Sequence, residues 1–86
     1  MYTVCIENND TDNGTLQVVY SDGSRRMLQI KKVLQNERIP FGMRESLRCM
    51  WEAGDFGRAY VLGGDIVWPG RCEVLSSEIE DYFEIV

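Results

Sequence analysis

The most informative absence in this chain is histidine, of which its 86 residues contain none. Without an imidazole there is no Ser-His or Cys-His nucleophile pair and no histidine general base. Gly63-Gly64 is not followed by the Lys-Ser or Lys-Thr of a phosphate-binding loop. We therefore predict that the chain is not an enzyme and uses no cofactor.

Cysteine is scarce as well, since only Cys5, Cys49 and Cys72 occur and no two of them form a C-x-x-C pair. An odd number of widely spaced cysteines, without histidine, makes a poor zinc site and a poor disulfide framework. Cys49 falls within a predicted helix, where we expect it to be packed or neutral. We predict three free thiols in a reducing cytoplasm and no metal.

Long hydrophobic runs are also missing. No apolar stretch approaches the roughly 20 residues that a membrane helix needs, and the chain turns acidic after Ile6, unlike a signal or transit peptide. Hydrophobic residues still make up 44% of the chain, which is enough for a core in one domain spanning residues 1–86. Because that core is small, a homodimer that buries more apolar surface stays open.

Basic residues are absent from both ends of the chain. Residues 1–14 carry a net charge of −3 and residues 73–86 a net charge of −5, whereas all nine Lys and Arg lie between Arg25 and Arg71. General nucleic-acid binding needs a concentrated basic surface, which this distribution does not favour. Acidic ends instead favour docking onto a basic surface of a protein partner.

The strongest signal in the chain is a hairpin in Leu16–Ile30, LQVVYSDGSRRMLQI. Two stretches of strand-forming residues flank Asp22-Gly23, and Asp-Gly between such stretches is typical of a tight turn. The first arm alternates apolar Leu16, Val18 and Tyr20 with their neighbours, which predicts one buried face.

Two further strand regions are predicted. Tyr2–Ile6 indicates a first strand, and it is followed by a polar loop over residues 8–14, NNDTDNG. This loop lacks the far glutamate of a calcium-binding loop. Arg58–Leu62 and Ile66–Trp68 predict a second hairpin around Gly63-Gly64.

Helical spacing appears twice. Apolar residues at Met43, Leu47, Met50 and Trp51 share one face of a central helix, and Gly54 is suited to end it. Ser76-Ser77-Glu78 indicates the start of an acidic C-terminal helix over residues 76–84, with Ile79, Tyr82 and Phe83 on its apolar face. A short helical turn is expected at 31–36, followed by a linker over 37–42.

Together these elements predict an α+β fold. We expect a small, mostly antiparallel sheet of two hairpins plus an N-terminal strand, packed against a central helix and a short C-terminal helix.

The order of these segments resembles the small bacterial domains grouped as domain-of-unknown-function family 2442. The residues that carry the resemblance are Leu16–Gly23, Leu28–Ile30 with Val33-Leu34, Leu47, Phe56, Asp65–Pro69 and Tyr82. Gln29 departs from that family's usual acidic residue, and Gly70–Glu73 departs from its usual Asn-Gly and Asp. The resemblance implies a small α+β fold, no assigned catalytic activity and, for some members, a place beside toxin-like partners.

Candidate partner-binding residues follow from charge and from the aromatic side chains. The acidic C-terminal helix supplies carboxylates around an aromatic pair, and tryptophan is a frequent interface anchor when it is exposed. Both tryptophans also fit a buried core, so exposure decides their role. The predicted partner-binding residues are Trp51, Trp68, Glu78, Glu80, Asp81, Tyr82 and Glu84.

A basic interval runs through Arg25, Arg26, Lys31, Lys32 and Arg38. Adjacent residues of a strand point to opposite faces, so Arg25 and Arg26 cannot act as one patch, and a charged sheet edge explains them better. The sequence thus favours a non-catalytic protein-binding module, either antitoxin-like or inhibitor-like. The alternatives are a nucleic-acid-binding regulator that uses the basic interval and a phage-type inhibitor that mimics nucleic-acid charge.

Overall fold

The computed structural model describes all 86 residues, and it confirms the α+β class predicted from the sequence. The strands are β1 (Thr3–Asp10), β2 (Thr15–Tyr20), β3 (Arg25–Gln29), β4 (Tyr60–Leu62), β5 (Asp65–Trp68), β6 (Cys72–Val74) and β7 (Glu84–Ile85). The helices are α1 (Ile30–Val33), α2 (Phe41–Glu52), a short 3-10 helix (Phe56–Arg58) and α3 (Ser76–Tyr82).

The larger sheet is antiparallel, with strand order β1-β2-β3-β7. Its β2–β3 turn is the predicted Asp-Gly hairpin: Gly23 has φ 86° and donates its N–H to the Tyr20 carbonyl at 2.9 Å. The Asp22 carboxylate accepts hydrogen bonds from the amide and the hydroxyl of Ser24, at 2.9 and 2.6 Å. These bonds hold the pKa of Asp22 below its usual range.

The first strand is longer than the sequence predicts, because β1 continues to Asp10 and shortens the predicted 8–14 loop. Asn9 and Asp10 pair with Leu16 and Thr15 of β2, so a neighbouring strand fixes backbone that polar side chains alone would leave irregular. The Asp10 carboxylate then accepts hydrogen bonds from the amides of Asp12 and Asn13, at 3.1 and 3.2 Å. The polar cluster is therefore a turn closed by its own side chain.

The second predicted hairpin is present, but it lies in a separate three-stranded antiparallel sheet, β4-β5-β6. Gly63 and Gly64 have φ of 59° and 87°, as a two-residue hairpin turn with two positive φ angles requires. β6 was not predicted, because it has three residues and only pairing with β5 reveals it as a strand.

The central helix presents the predicted face to the core: Leu47 and Met50 are buried, and Met43 and Trp51 are partly buried against them. It begins at Phe41, two residues before the predicted start, since Pro40 fits the position that precedes the first helical residue. Gly54, with φ 77°, follows the helix end as predicted.

The C-terminal helix is shorter than the predicted 76–84. It ends at Tyr82, and Phe83 is extended, with φ −103° and ψ 139°. Glu84 and Ile85 then pair with Met27 and Arg26, so the tail becomes the fourth strand of the larger sheet. The edge of β3 offers hydrogen-bonding groups to the tail, which is a long-range contact that helical spacing does not reveal.

The two sheets close around one core of sixteen buried apolar residues, with Trp68, Tyr20 and Phe56 as its largest side chains. Thr3 of β1 donates its amide to the Gly64 carbonyl at 3.2 Å, which joins the sheets at one end. None of the helices combines the length and apolar character that crossing a bilayer requires.

Gly14 marks a close approach that tests this core. It has φ 68°, and a Cβ added there would lie 2.5 Å from Ile30 Cγ2 and 3.1 Å from Trp51 Cη2. We expect Gly14→Ala to lower the free energy of unfolding by about 2–4 kcal/mol, through backbone strain and overpacking. Urea unfolding of the variant and of the wild type measures the change.

The matched control is Gly42→Ala, since Gly42 lies in α2 and an added Cβ meets no atom within 4 Å. There alanine should raise stability by about 0.5–1 kcal/mol through helix propensity. Equal unfolding midpoints for both variants would contradict the close packing at Gly14.

Candidate functional site

The acidic helix α3 is anchored at its start by two carboxylates. Asp65 of β5 accepts a hydrogen bond from the Ser76 amide at 2.7 Å, and Glu78 accepts one from the Leu75 amide at 2.9 Å. Ile79 and Phe83 are buried in the core. The outward side of α3 is thereby fixed, and it carries the exposed side chains of Glu80 and Asp81.

Tyr82 is mostly buried and connects this helix to a surface groove. Its hydroxyl lies 3.4 Å from Glu78 Oε2. Burial, together with the charge of Glu78, raises the pKa of the Tyr82 phenol. Tyr82 lines two adjoining depressions but is only 9% exposed, so this predicted site residue offers little surface to a ligand.

The groove runs between α3 on one side and α1 with the α1–α2 connection on the other. Its two parts share Asn36, Asp81 and Tyr82, and their volumes are about 90 and 410 Å³. The larger volume lies within the range of about 300–1,000 Å³ that is usual for ligand sites. The larger part is lined by Asn36, Arg38, Ile39, Pro40, Asp81 and Tyr82.

At the narrow end of the groove, a basic and an acidic side chain form an ion pair. Glu84 of β7 lies 3.7 Å from Lys32 of α1, and it accepts a hydrogen bond from the Gln29 side-chain amide at 3.1 Å. Glu84 therefore helps to attach the tail to the protein. Both charged side chains stay well exposed, so the ion pair adds little to stability.

Trp68 lies in the core and has no surface to offer a partner. Its side chain is 1% exposed, its Nε1 donates to the Phe56 carbonyl at 3.1 Å, and its ring stacks on Phe56 at 6.2 Å. The inclusion of Trp68 among partner-binding residues is therefore corrected: β5 is covered by the rest of the core on the face that carries it.

Trp51 is partly buried at the edge of the same aromatic group. Its ring meets Phe56 edge-on, with 5.4 Å between the ring centroids, and it lies against Gly14. Both of these are packing contacts within the protein. It is also separate from the groove, because none of the groove-lining residues belongs to α2.

The basic interval is largely engaged inside the protein. Arg25 Nε lies 2.7 Å from Glu7 Oε2, and the Arg26 guanidinium lies 5.4 Å from the Tyr20 ring centroid and donates to the Phe83 carbonyl at 3.4 Å. With Lys32 held by Glu84, the interval forms no continuous basic patch. The acidic tail and the basic interval, which are far apart in sequence, meet along β3.

Most acidic side chains remain unpaired. The five ion pairs engage four of the fourteen carboxylates and five of the nine Lys and Arg, which leaves ten carboxylates and four basic side chains without an ion-pair partner. Glu80 and Asp81 belong to the unpaired group and are neighbours on α3. They form the most prominent exposed acidic pair of the C-terminal segment.

Sequence reasoning missed the groove itself. Asn36 and Pro40 fall in segments that were predicted as a helical turn and a linker, and neither residue type signals a binding site. The one available signal was Pro40, which disfavours helical geometry at Ile39 and so predicts the irregular connection that forms one wall of the groove. The position of that wall opposite Asp81 depends on tertiary packing.

The three cysteines are free: Cys5 and Cys49 are exposed and Cys72 is half-buried. Cys49 was expected to be packed or neutral, and its exposure shows that the first of these alternatives is wrong. No cluster of three or more Cys, Asp or Glu side chains has the proximity to hold a metal ion.

Comparisons with protein-family models, with curated proteins and with solved structures gave no match.

Thiol reactivity checks these placements. Burial raises the pKa of Cys72 from 9.0 to about 11, which lowers its thiolate fraction at neutral pH about a hundredfold. We expect a chromogenic aromatic disulfide to modify Cys5 and Cys49 readily and Cys72 only after unfolding in urea. In Cys72→Ser the additional modification that follows unfolding should vanish, and rapid modification of all three thiols in the native wild type would contradict the burial of Cys72.

The raised pKa of Cys72 also makes the stability of the protein depend on pH. Since the folded-state pKa of Cys72 is raised, its contribution is complete below its unfolded value of 9.0 and is lost as the pH rises through about 11. Urea midpoints should therefore fall over that pH range, and the fall should be shallower in Cys72→Val. Parallel pH profiles for the two proteins would contradict this.

Proposed function

We propose that the chain is a non-catalytic protein-binding module whose acidic C-terminal segment docks onto a basic surface of another protein. The observation that carries the proposal is the pair Glu80 and Asp81: both are exposed, neither has an ion-pair partner, and both lie on α3 beside the groove. Complementary charge of this kind speeds association and selects the partner.

The engagement of the basic interval supports a protein partner over nucleic acid. Arg25, Arg26 and Lys32 are already occupied by Glu7, by Tyr20 with the Phe83 carbonyl, and by Glu84. To bind nucleic acid through this interval, the protein would have to break these contacts or use the few basic side chains that remain free. Phosphate-backbone binding grows stronger with the number of Lys and Arg side chains that contact phosphates. An antitoxin-like or inhibitor-like role in the cytoplasm agrees with this proposal and with two exposed free thiols.

The test compares two charge reversals of equal size. Glu80→Lys with Asp81→Lys changes the acidic pair, and Asp12→Lys with Glu52→Lys changes exposed, unpaired carboxylates outside α3 and the groove. Each tagged protein is incubated with nuclease-treated lysate of its own cells, and the affinity for a captured protein is then measured with the purified partner.

We expect the α3 variant to bind the partner about tenfold or more weakly, because two favourable rim contacts become repulsive. The control variant should bind like the wild type, and circular dichroism should show both variants folded. Unchanged affinity of the α3 variant would remove the acidic pair from the interface, and capture that disappears with nuclease would favour the nucleic-acid alternative.

A further inference from the structure

The two ends of the groove differ in one respect. At the narrow end, basic Lys32 of one wall and acidic Glu84 of the other approach to 3.7 Å. At the wide end, basic Arg38 and acidic Asp81 stand on the corresponding walls, yet they form no ion pair within 4.0 Å. The space at this end is about 410 Å³, against about 90 Å³ at the narrow end.

The wide end is also equipped to hold a ligand by other contacts. Buried Ile39 and Tyr82 provide an apolar floor, and exposed Pro40 extends it. The Asn36 side-chain oxygen accepts a hydrogen bond from the Arg38 amide at 3.0 Å, which fixes its orientation and leaves its amide N–H groups for a ligand. The groove thus combines an apolar base, one hydrogen-bond donor group and two separated charges of opposite sign.

A ligand that matches this arrangement must carry both charges. A purely basic group would meet Arg38, and a purely acidic group would meet Asp81, so each would gain one contact and suffer one repulsion. In an extended peptide, residues i and i+2 project to the same side. In a peptide that crosses the groove from one wall to the other, a basic and an acidic side chain at that spacing would both point into the groove, about 6.6 Å apart along the strand, with one charge beside each wall.

We infer that the groove binds an extended segment of the partner protein in which a basic and an acidic residue alternate with a neutral one. This inference rests on the proposed function and refines it, since it adds a specific dipolar site to the general attraction exerted by the acidic pair. Asp81 belongs to both surfaces, whereas Arg38 belongs to the groove alone.

The experiment titrates isotope-labelled protein with three end-blocked peptides and follows the backbone amide resonances. The probes are Gly-Lys-Gly-Glu-Gly, Gly-Lys-Gly-Lys-Gly and Gly-Glu-Gly-Glu-Gly. We expect the mixed-charge peptide to bind most tightly and to shift the resonances of Asn36, Arg38, Asp81 and Tyr82. Arg38→Glu and Asp81→Lys should each weaken that binding about fivefold to tenfold.

The preferences of the variants separate charge recognition from a structural effect. Arg38→Glu should turn the preference toward the Lys-Lys peptide, Asp81→Lys should turn it toward the Glu-Glu peptide, and the double exchange should restore binding of the mixed peptide. Lys31→Glu is the control, because exposed Lys31 does not line the groove. Equal binding of all three peptides, or no shift at the groove, would overturn the inference.

Failure of the inference is distinguishable from failure of the proposed function. If Glu80→Lys with Asp81→Lys loses the partner while no peptide binds and Arg38→Glu retains the partner, docking through the acidic pair stands and the dipolar groove falls. If the mixed peptide binds with the expected variant preferences but the charge reversal leaves the partner bound, the groove is a peptide site and the proposed docking surface is wrong.

Discussion

The main-chain carbonyl of Phe56 is the contact on which the architecture depends. It accepts hydrogen bonds from Asn9 of β1 at 3.0 Å and from the Trp68 indole of β5 at 3.1 Å, so one oxygen links both sheets through the short 3-10 helix. The Phe56 ring packs against Trp51 and Trp68 and brings α2 to the same point. Leaving a buried indole N–H without an acceptor costs about 1–3 kcal/mol, which is large beside the roughly 5–15 kcal/mol that stabilises a small domain. The strand β5 that carries Trp68 also carries Asp65, which accepts a hydrogen bond from the Ser76 amide at the start of α3.

The basic interval and the acidic pair of α3 differ in how far their charges are paired within the protein. The tail strand β7 brings Glu84 to Lys32 and the Phe83 carbonyl to Arg26, which uses much of the basic interval within the protein. The acidic pair of α3 receives no such compensation, because Ile79 and Phe83 hold the helix with its opposite side toward the core. An exposed acidic pair without an ion-pair partner keeps its charge available, which supports the docking proposed above. The groove beside the acidic pair is lined by one basic and one acidic side chain, Arg38 and Asp81, which form no ion pair with each other.

Much of the local structure was predictable because it depends on neighbours in sequence. The Asp22-Gly23 and Gly63-Gly64 turns need only residues that tolerate positive φ, and the core face of α2 needs only apolar side chains spaced three and four apart. The α+β class follows from combining these elements. Of the candidate site, the exposed acidic pair on α3 was foreseen from its position opposite Ile79 and Tyr82. The groove was not, because its walls come from residues 36–40 and from Asp81, which no periodic pattern connects.

By itself, then, the sequence determined the turns, the helix faces, the two hairpins and the acidic character of the C-terminal segment, all of which arise from local conformational preference and side-chain polarity. The tertiary structure alone decided that the hairpins lie in separate sheets, that β6 and β7 are strands, that Trp68 is buried, and that Arg38 and Asp81 line one groove. For β6 and β7 the physical reason is that these strands are very short. A strand of two or three residues has no period to read, and it exists because another strand offers unpaired backbone groups. Likewise, whether a tryptophan or a charge is covered depends on segments that are distant in the chain.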